Sequence, residues 1–134
     1  MAYGMTVQTA APFADTVARV RQVLKEQGFG VLTEIDVRAT MRDKLGEDME
    51  DYLILGACNP PLAHQALSAD RKIGLLLPCN VVIRVGDQGT IVEALDPRAL
   101  ADIAGQPALT AVATQAATRI RAALQALQDD RPPG

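Results

Sequence analysis

Apolar and polar residues alternate or recur at helical spacing along the first third of the chain. Alternation predicts a first strand over Met5–Thr9. Apolar residues three to four positions apart then predict a helix that begins at Pro12 and ends at Gly28, the usual position of a C-terminal glycine. Alternation returns over Val31–Asp36 and predicts a second strand with one face in water. The chain therefore opens as strand, helix, strand.

The next segment changes from a polar connection to a nearly continuous apolar run. Asp36 is a good cap for a short helix, and the acidic residues 46–51 that follow are typical of a solvated loop. The run Tyr52–Cys58 predicts a buried strand. Asn59 is a suitable cap for a helix of about two turns. Its predicted buried residues are Leu62, Ala63, Ala66 and Leu67.

Pro78 determines where the following strand begins. Proline cannot donate a hydrogen bond within a central strand, so we expect the strand to run over Cys79–Val85 rather than to begin near Ile73. Residues 86–89 contain two glycines and predict a hairpin turn, and Thr90–Leu95 predicts the returning strand. These two strands therefore form an antiparallel pair.

The last third is helical. Residues 97–104 predict a short helix, and Pro107 begins a long one. Its apolar face is a regular helical stripe made of Leu109, Val112, Ala113, Ala116, Ile120, Ala123, Leu124 and Leu127. Residues 129–134 are polar and proline-rich and predict a disordered tail. Residues 1–128 are therefore expected to form a single domain.

The order of elements predicts the fold class and an association. A strand, a helix, four strands with helical insertions and a final helix predict an α+β domain with an antiparallel sheet and helices on one face. Tyr52–Cys58 and Cys79–Val85 are nevertheless apolar on both faces, and such strands are usually covered on both sides. A second copy of the chain is the simplest cover, so we expect a homodimer.

Composition narrows the class of protein. The chain has 134 residues, a net charge of -3 and 3% aromatic residues, and this argues against a nucleic-acid-binding protein. The N-terminus lacks the pattern of a signal peptide, and the longest apolar stretch, Ile73–Ile83, is too short for a membrane span. We expect a cytoplasmic protein whose cysteines are reduced.

The candidate chemistry lies in a Cys-Asn pair that occurs twice, each time beside proline. These pairs are Cys58-Asn59 and Cys79-Asn80, and they contain the only two cysteines. If the two cysteines lie on neighbouring antiparallel strands, their thiols could face each other. The helix that begins after Cys58 should lower its pKa, and two soft thiols would suit copper(I) or zinc. His64 is either a third ligand or a surface residue.

Two alternatives compete with a thiol or metal site. In the first, both cysteines fill a tight core and the asparagines are bonded to backbone groups, and in the second they border a ligand pocket. The sequence contains no phosphate-binding loop, Ser-His-Asp set or cofactor fingerprint, which argues against an enzyme and a bound cofactor. The two predicted functions are a homodimeric module that binds or senses a small molecule or protein, and a redox or metal-handling protein that uses Cys58 and Cys79.

Three segments resemble the prokaryotic family called domain of unknown function 302. They are Gly28–Val37, Leu55–Pro60 and Leu75–Val82, and the resemblance extends over about Val7 to Pro97. It implies an α+β fold like that of the TATA-binding protein, and it implies dimers. It implies no activity, and the likeness of fold does not imply DNA binding, because function belongs to particular sites.

Overall fold

The computed structural model describes residues 3–129, which contain five strands and five α-helices. The strands are β1 (Gly4–Thr9), β2 (Gly30–Asp36), β3 (Tyr52–Cys58), β4 (Cys79–Gly86) and β5 (Gly89–Leu95). The helices are α1 (Phe13–Glu26), α2 (Val37–Leu45), α3 (Pro60–Ala69), α4 (Pro97–Ala104) and α5 (Thr110–Asp129). Short 3-10 helices occur at Arg71–Leu76 and Pro107–Leu109.

The strands form one antiparallel sheet in the order β1-β5-β4-β3-β2. The β4–β5 hairpin closes at the pair Gly86–Gly89, as its glycine-rich turn predicts. The β3–β4 register places Leu55 opposite Val81. A bulge between Val31 and Thr33 interrupts the ladder on the edge strand β2. The predicted α+β class and antiparallel sheet are therefore confirmed.

Helices α1 and α5 cover one face of the sheet and enclose the main core with it. Because side chains alternate along a strand, every second residue of β3, β4 and β5 enters this core. Leu55, Ile83 and Val92 are completely buried there. Helix α1 contributes Val20, Val23 and Leu24, and α5 contributes Ile120, Ala123, Leu124 and Leu127. The C-terminal half of the apolar stripe predicted for the last helix is therefore a core face.

The helix caps lie where the sequence indicates them. The Asp36 side chain accepts a hydrogen bond from Ala39 N, at 2.9 Å, and so caps α2. The Asn59 side chain accepts one from Leu62 N at the start of α3. Strand β4 begins at Cys79, as Pro78 predicts, while Ile73 is buried in the preceding 3-10 helix. Helix α3 has ten residues and is longer than the two turns predicted.

The other face of the sheet carries a half-buried band that we call the open face. It comprises Ile54, Val82, Arg84, Ile91 and Glu93, which occupy neighbouring register positions on β3, β4 and β5. Arg84 Nε donates to Glu93 Oε1 at 2.7 Å in the middle of the band.

Helix α2, like the open face, is poorly covered by the rest of the chain. None of its nine residues is buried, and Leu45 at its end is 67% exposed. The helix ends in Gly46, whose left-handed backbone at φ 65° suits glycine.

The predicted start of the C-terminal tail is wrong by one residue. Asp129, predicted to belong to the tail, is the last residue of α5, because the helix continues two residues beyond Leu127, where the apolar stripe ends. The rest of the predicted tail, residues 130–134, lies outside the described residues. Between residues 3 and 129, no helix is sufficiently long and apolar to cross a membrane.

Candidate functional site

A cavity of about 360 Å³ lies at the end of the sheet where β3 stops and β4 begins. Helix α3, the 3-10 helix after it, α4 and the first turns of α5 surround it. Its apolar wall contains a second cluster of buried side chains, which are Leu62, Ala66, Ile73, Leu109, Val112 and Ala116. Leu32 also lines the cavity and is 68% exposed, so the cavity is accessible beside the edge strand β2.

Small side chains explain why a cavity forms here. Ala63 and Ala66 of α3, Ala101 of α4, and Ala113 and Ala116 of α5 all line the cavity. A methyl group reaches much less far from a helix than the leucine and isoleucine side chains that fill the main core. Ala63 and Leu67, predicted to be buried, are half-buried because they border this cavity.

Both cysteines line the cavity, but they do not face each other across the ladder. The cross-strand partner of Cys79 is Ala57, and Cys58 occupies the alternate position on β3. Successive residues of a strand point to opposite faces, so the expected face-to-face arrangement is wrong. The sulfurs still influence each other, because a charge on Cys58 would raise the pKa of Cys79.

The pKa values of the thiols are raised, not lowered. Burial raises the pKa of the Cys58 thiol, and burial together with Cys58 raises that of Cys79 to about 11. The expected lowering at the start of α3 is therefore wrong. The first amides of that helix have other acceptors, since Leu62 N donates to Asn59 Oδ1 at 3.3 Å and Ala63 N to Asn59 O at 2.8 Å. Both thiols are thus protonated near neutral pH.

The two asparagines occupy very different environments. Asn59 is buried, caps α3, and its Nδ2 lies 3.5 Å from Gln27 O, so it joins α3 to the end of α1. Asn80 is exposed on β4 and lies opposite Gly56. The structure therefore brings Cys58, Asn59 and Cys79 together at one cavity, with Asn80 outside its wall.

Gly56 allows Pro78 to lie close against β3 at this end of the sheet. The sequence did not lead us to predict this role. A Cβ atom at this position would lie 2.7 Å from Pro78 Cγ and closer still to Thr33 Oγ1. Only glycine lets Pro78 lie against β3, and Pro78 precedes the cavity residue Cys79. A glycine within an apolar strand is the signal that could have indicated this close approach.

Of the candidate metal ligands, only the thiols of Cys58 and Cys79 line the cavity. His64 is exposed on α3, as the surface alternative predicts. Within the part of the chain that the structure describes, no group of three or more His, Cys, Asp or Glu residues could hold a metal ion. A two-thiol site for copper(I) or zinc, or a redox role for the pair, stays a prediction.

Comparison with known proteins connects this fold to a family. The family model described as Domain of unknown function DUF302 matches residues 5–127. The crystal structure of an uncharacterized conserved protein DUF302 from Bacillus stearothermophilus matches with a TM-score of 0.87 and 29% sequence identity. The match covers 93% of this chain and 98% of that one. None of the curated proteins matches the chain.

Proposed function

We propose that this chain, which belongs to the DUF302 family, is a homodimeric module that binds a small, uncharged, apolar molecule. The observation that carries the binding role is the cavity of about 360 Å³ at the end of β3. Its volume lies in the range of small-molecule sites, which are mostly apolar and largely formed before the ligand binds. The main core of the domain lies beside it and needs no ligand to be complete.

The uncharged character of the cavity wall determines which kind of ligand fits. All the residues that line the cavity, as far as the structure describes the chain, are uncharged. Cys58 and Cys79 add no charge, because burial raises the pKa of both thiols. An ion inside would lose its hydration without gaining a partner, and this costs much more than burial of a neutral group. The part of the ligand within this cavity is therefore uncharged.

The volume limits the size of that part. At the packing density of protein interiors, the cavity accommodates about 10–15 non-hydrogen atoms. A saturated chain or a pair of fused rings has this size. The sulfurs of Cys58 and Cys79 offer a polarisable surface at the sheet end of the wall, and they are contacts rather than nucleophiles because a protonated thiol reacts poorly.

The binding proposal is tested with N-phenyl-1-naphthylamine, a neutral dye that fluoresces in apolar surroundings and whose two fused rings match the size given above, and with 1-decanol as its competitor. The wild-type chain should enhance the fluorescence saturably, and 1-decanol should displace the dye. Ala116→Leu adds three carbon atoms to the cavity wall and should weaken binding of both compounds at least tenfold.

Ala122→Leu is the matched control, because it makes the same change at an exposed position of the same helix. Its affinity should equal that of the wild type. Equal affinity of Ala116→Leu and the wild type, with both folded by circular dichroism, would show that the dye binds elsewhere and would overturn the proposal.

Two incomplete environments support the homodimer. The open face leaves Ile54, Val82 and Ile91 only half-buried, and α2 has no buried residue. A nine-residue helix is too short to be stable without packing partners. A second copy that packs against the open face and α2 would bury both features.

The areas are compatible with such a dimer. The whole outer side of the five-stranded sheet, of which the open face is the middle, has strands about 4.8 Å apart and about 20 Å long and so a footprint of about 400 Å² for each chain. Two such footprints together approach the roughly 1,000 Å² of buried surface that specific association requires. Helix α2 adds further area and takes the total beyond this value. The Arg84–Glu93 pair within the open face would meet its own copy across a two-fold axis, where unlike charges can be placed together.

A further inference from the structure

The cavity that both cysteines line, which we call the apolar cavity, reaches the protein surface beside β2. Of the lining residues that the structure describes, only Leu32 and Gly74 are exposed, and the others are buried or half-buried. Leu32 lies on β2, and Gly74 lies in the 3-10 helix Arg71–Leu76. We call the surface formed by Leu32, Gly74 and Leu75 the mouth of the cavity.

Glycine at position 74 keeps the mouth wide. Its backbone is not left-handed, so a side chain would be tolerated there. A Cβ atom at Gly74 would meet no other atom within 4 Å, so the packing of the described residues does not require glycine either. The missing side chain leaves space that a molecule entering the apolar cavity can use.

The mouth has two exposed leucines. At 86%, Leu75 is the most exposed large apolar side chain in the part of the chain that the structure describes, and Leu32 is 68% exposed. Glu34, two residues beyond Leu32, is paired with Arg21 at 2.8 Å between Oε2 and Nη2. Exposed apolar side chains grouped at the entrance of an apolar cavity indicate a surface that meets another apolar phase.

Two cations accompany the exposed Leu75. Arg71 and Lys72 are exposed, and neither forms an ion pair with a described residue. Side chains three positions apart in a 3-10 helix lie one above the other, so Lys72 and Leu75 share one side. The Asp70 carboxylate accepts from Lys72 N at 3.0 Å and offsets one of the two charges. The segment therefore keeps a positive charge beside its leucine.

We propose that the mouth docks on the surface of an anionic lipid bilayer, and that the apolar ligand enters the cavity from the hydrocarbon of that bilayer. Arg71 and Lys72 then lie among the anionic head groups, and the two leucines enter the boundary with the acyl chains. The inference rests on the proposed function, because a molecule that fits the apolar cavity collects in hydrocarbon rather than in water.

The docking is weak and reversible, as pick-up of a ligand requires. Each basic residue near an anionic surface strengthens binding about fivefold. Two such residues and two leucines should not exceed the association constant of one myristoyl chain, about 10⁴ M⁻¹. Binding is therefore measured at millimolar lipid.

The test is flotation with vesicles of phosphatidylcholine and phosphatidylglycerol in equal amounts, and with vesicles of phosphatidylcholine alone. The wild type should bind the anionic vesicles at least about fivefold more tightly, and added salt should reduce this preference. Lys72→Gln should weaken binding to the anionic vesicles about fivefold. Lys25→Gln makes the same change at an exposed position of α1 and should bind as the wild type does.

Leu75→Ser tests the apolar part of the mouth and should weaken binding at least about fivefold. Ile103→Ser is its control, because Ile103 is a 68% exposed apolar residue of α4 that does not line the cavity. Both variants should bind N-phenyl-1-naphthylamine in the absence of vesicles as the wild type does, because neither change fills the cavity.

Delivery of the dye tests the route of the ligand. N-phenyl-1-naphthylamine is quenched in vesicles that contain a spin-labelled lipid, and it brightens when it moves to the protein. Entry from a docked bilayer predicts a transfer rate that rises with vesicle concentration, is faster from anionic vesicles and falls in Leu75→Ser. A rate independent of all three would show that the dye crosses water and would overturn the proposed route.

The outcomes separate the two proposals. If the wild type binds the dye in free solution but floats with neither kind of vesicle, the apolar site stands and the docking is overturned. Equal flotation with both kinds of vesicle, or flotation that Lys72→Gln and Leu75→Ser leave unchanged, would likewise overturn it. If the dye does not bind in free solution, the proposed function fails, whatever the vesicles show.

Discussion

At the scale of single residues, the two Cys-Asn pairs have similar sequence contexts but lie in different structural environments. Cys58-Asn59 and Cys79-Asn80 look alike along the chain, yet Asn59 is a buried helix cap and Asn80 is exposed. The difference follows from what comes next in each case. After Asn59 the chain turns into α3, whereas Asn80 lies within β4 at a position that points away from the helices.

Burial of the Cys79 thiol makes stability depend on pH. Its pKa is about 11 in the folded chain and 9.0 without burial, so the folded state holds the proton more tightly. This contribution is fully present below pH 9 and is lost as the pH rises through 11. By pH 10.5 we expect the free energy of unfolding of the wild type to have fallen by about 2 kcal/mol more than that of Cys79→Ala, because the variant has no thiol to ionise at this position.

The measurement is urea unfolding of both proteins under reducing conditions at a series of pH values from 8 to 10.5. All other ionisable groups are common to the two proteins, so only the difference between the two free energies of unfolding reports Cys79. A difference that stays constant across the series would show that the thiol is not buried as described.

At the scale of elements, α5 has two packing environments along one apolar stripe. Its C-terminal half, with Ile120 and Leu124, packs into the main core against the sheet and α1. Its N-terminal half, with Val112 and Ala116, lines the apolar cavity. A continuous stripe therefore supports the fold at one end and forms the candidate site at the other.

The two halves should respond differently to truncation. Leu124→Ala removes a side chain from a filled core, and we expect a loss of about 2–4 kcal/mol in the free energy of unfolding. Val112→Ala removes two methyl groups that line the cavity rather than the filled core, so we expect a loss of about 1 kcal/mol in the free energy of unfolding. Chemical denaturation measures both, with the exposed Gln128→Ala as control.

Equal losses for Leu124→Ala and Val112→Ala would contradict the division of α5 into a core half and a cavity half. A loss for Gln128→Ala as large as either would contradict the assignment of the exposed face.

At the scale of the whole molecule, one face of the sheet is complete and the other is not. Helices α1 and α5 bury the first face with the side chains of a single chain. The open face and α2 depend on a second copy in the proposed dimer. The fold shared with the Bacillus stearothermophilus protein extends over nearly the whole chain.

The dimer predicts a mass in light scattering of about twice the 14.2 kDa of the chain, at micromolar concentration. Val82→Lys should yield a monomer that keeps its fold. The register places Glu93 beside position 82, so the new lysine has a partner within its own chain, while two lysines would meet across the two-fold axis.

Ile103→Lys is the control, because it makes the same kind of change at an apolar residue of α4 that is 68% exposed and away from the open face. It should remain a dimer. A monomeric wild type would overturn the dimer, and a dimeric Val82→Lys would show that the chains associate through another surface.

Local signals were sufficient for most of the fold. The strands Tyr52–Cys58 and Thr90–Leu95 and the start of β4 at Cys79 agree with the prediction, because alternation, proline and glycine act on neighbouring residues. The caps Asp36 and Asn59 agree for the same reason. The resemblance read from three short segments is confirmed by a family match over residues 5–127.

The sequence by itself therefore determined the elements, their order, the fold class and the pair of cysteines as the residues to examine. Only the tertiary structure decided which environment those cysteines occupy. The apolar cavity exists because alanines from three helices meet at the end of β3, and their sequence separation conceals this. The raised pKa of the Cys58 and Cys79 thiols has the same origin, since side chains from distant parts of the chain exclude water from them.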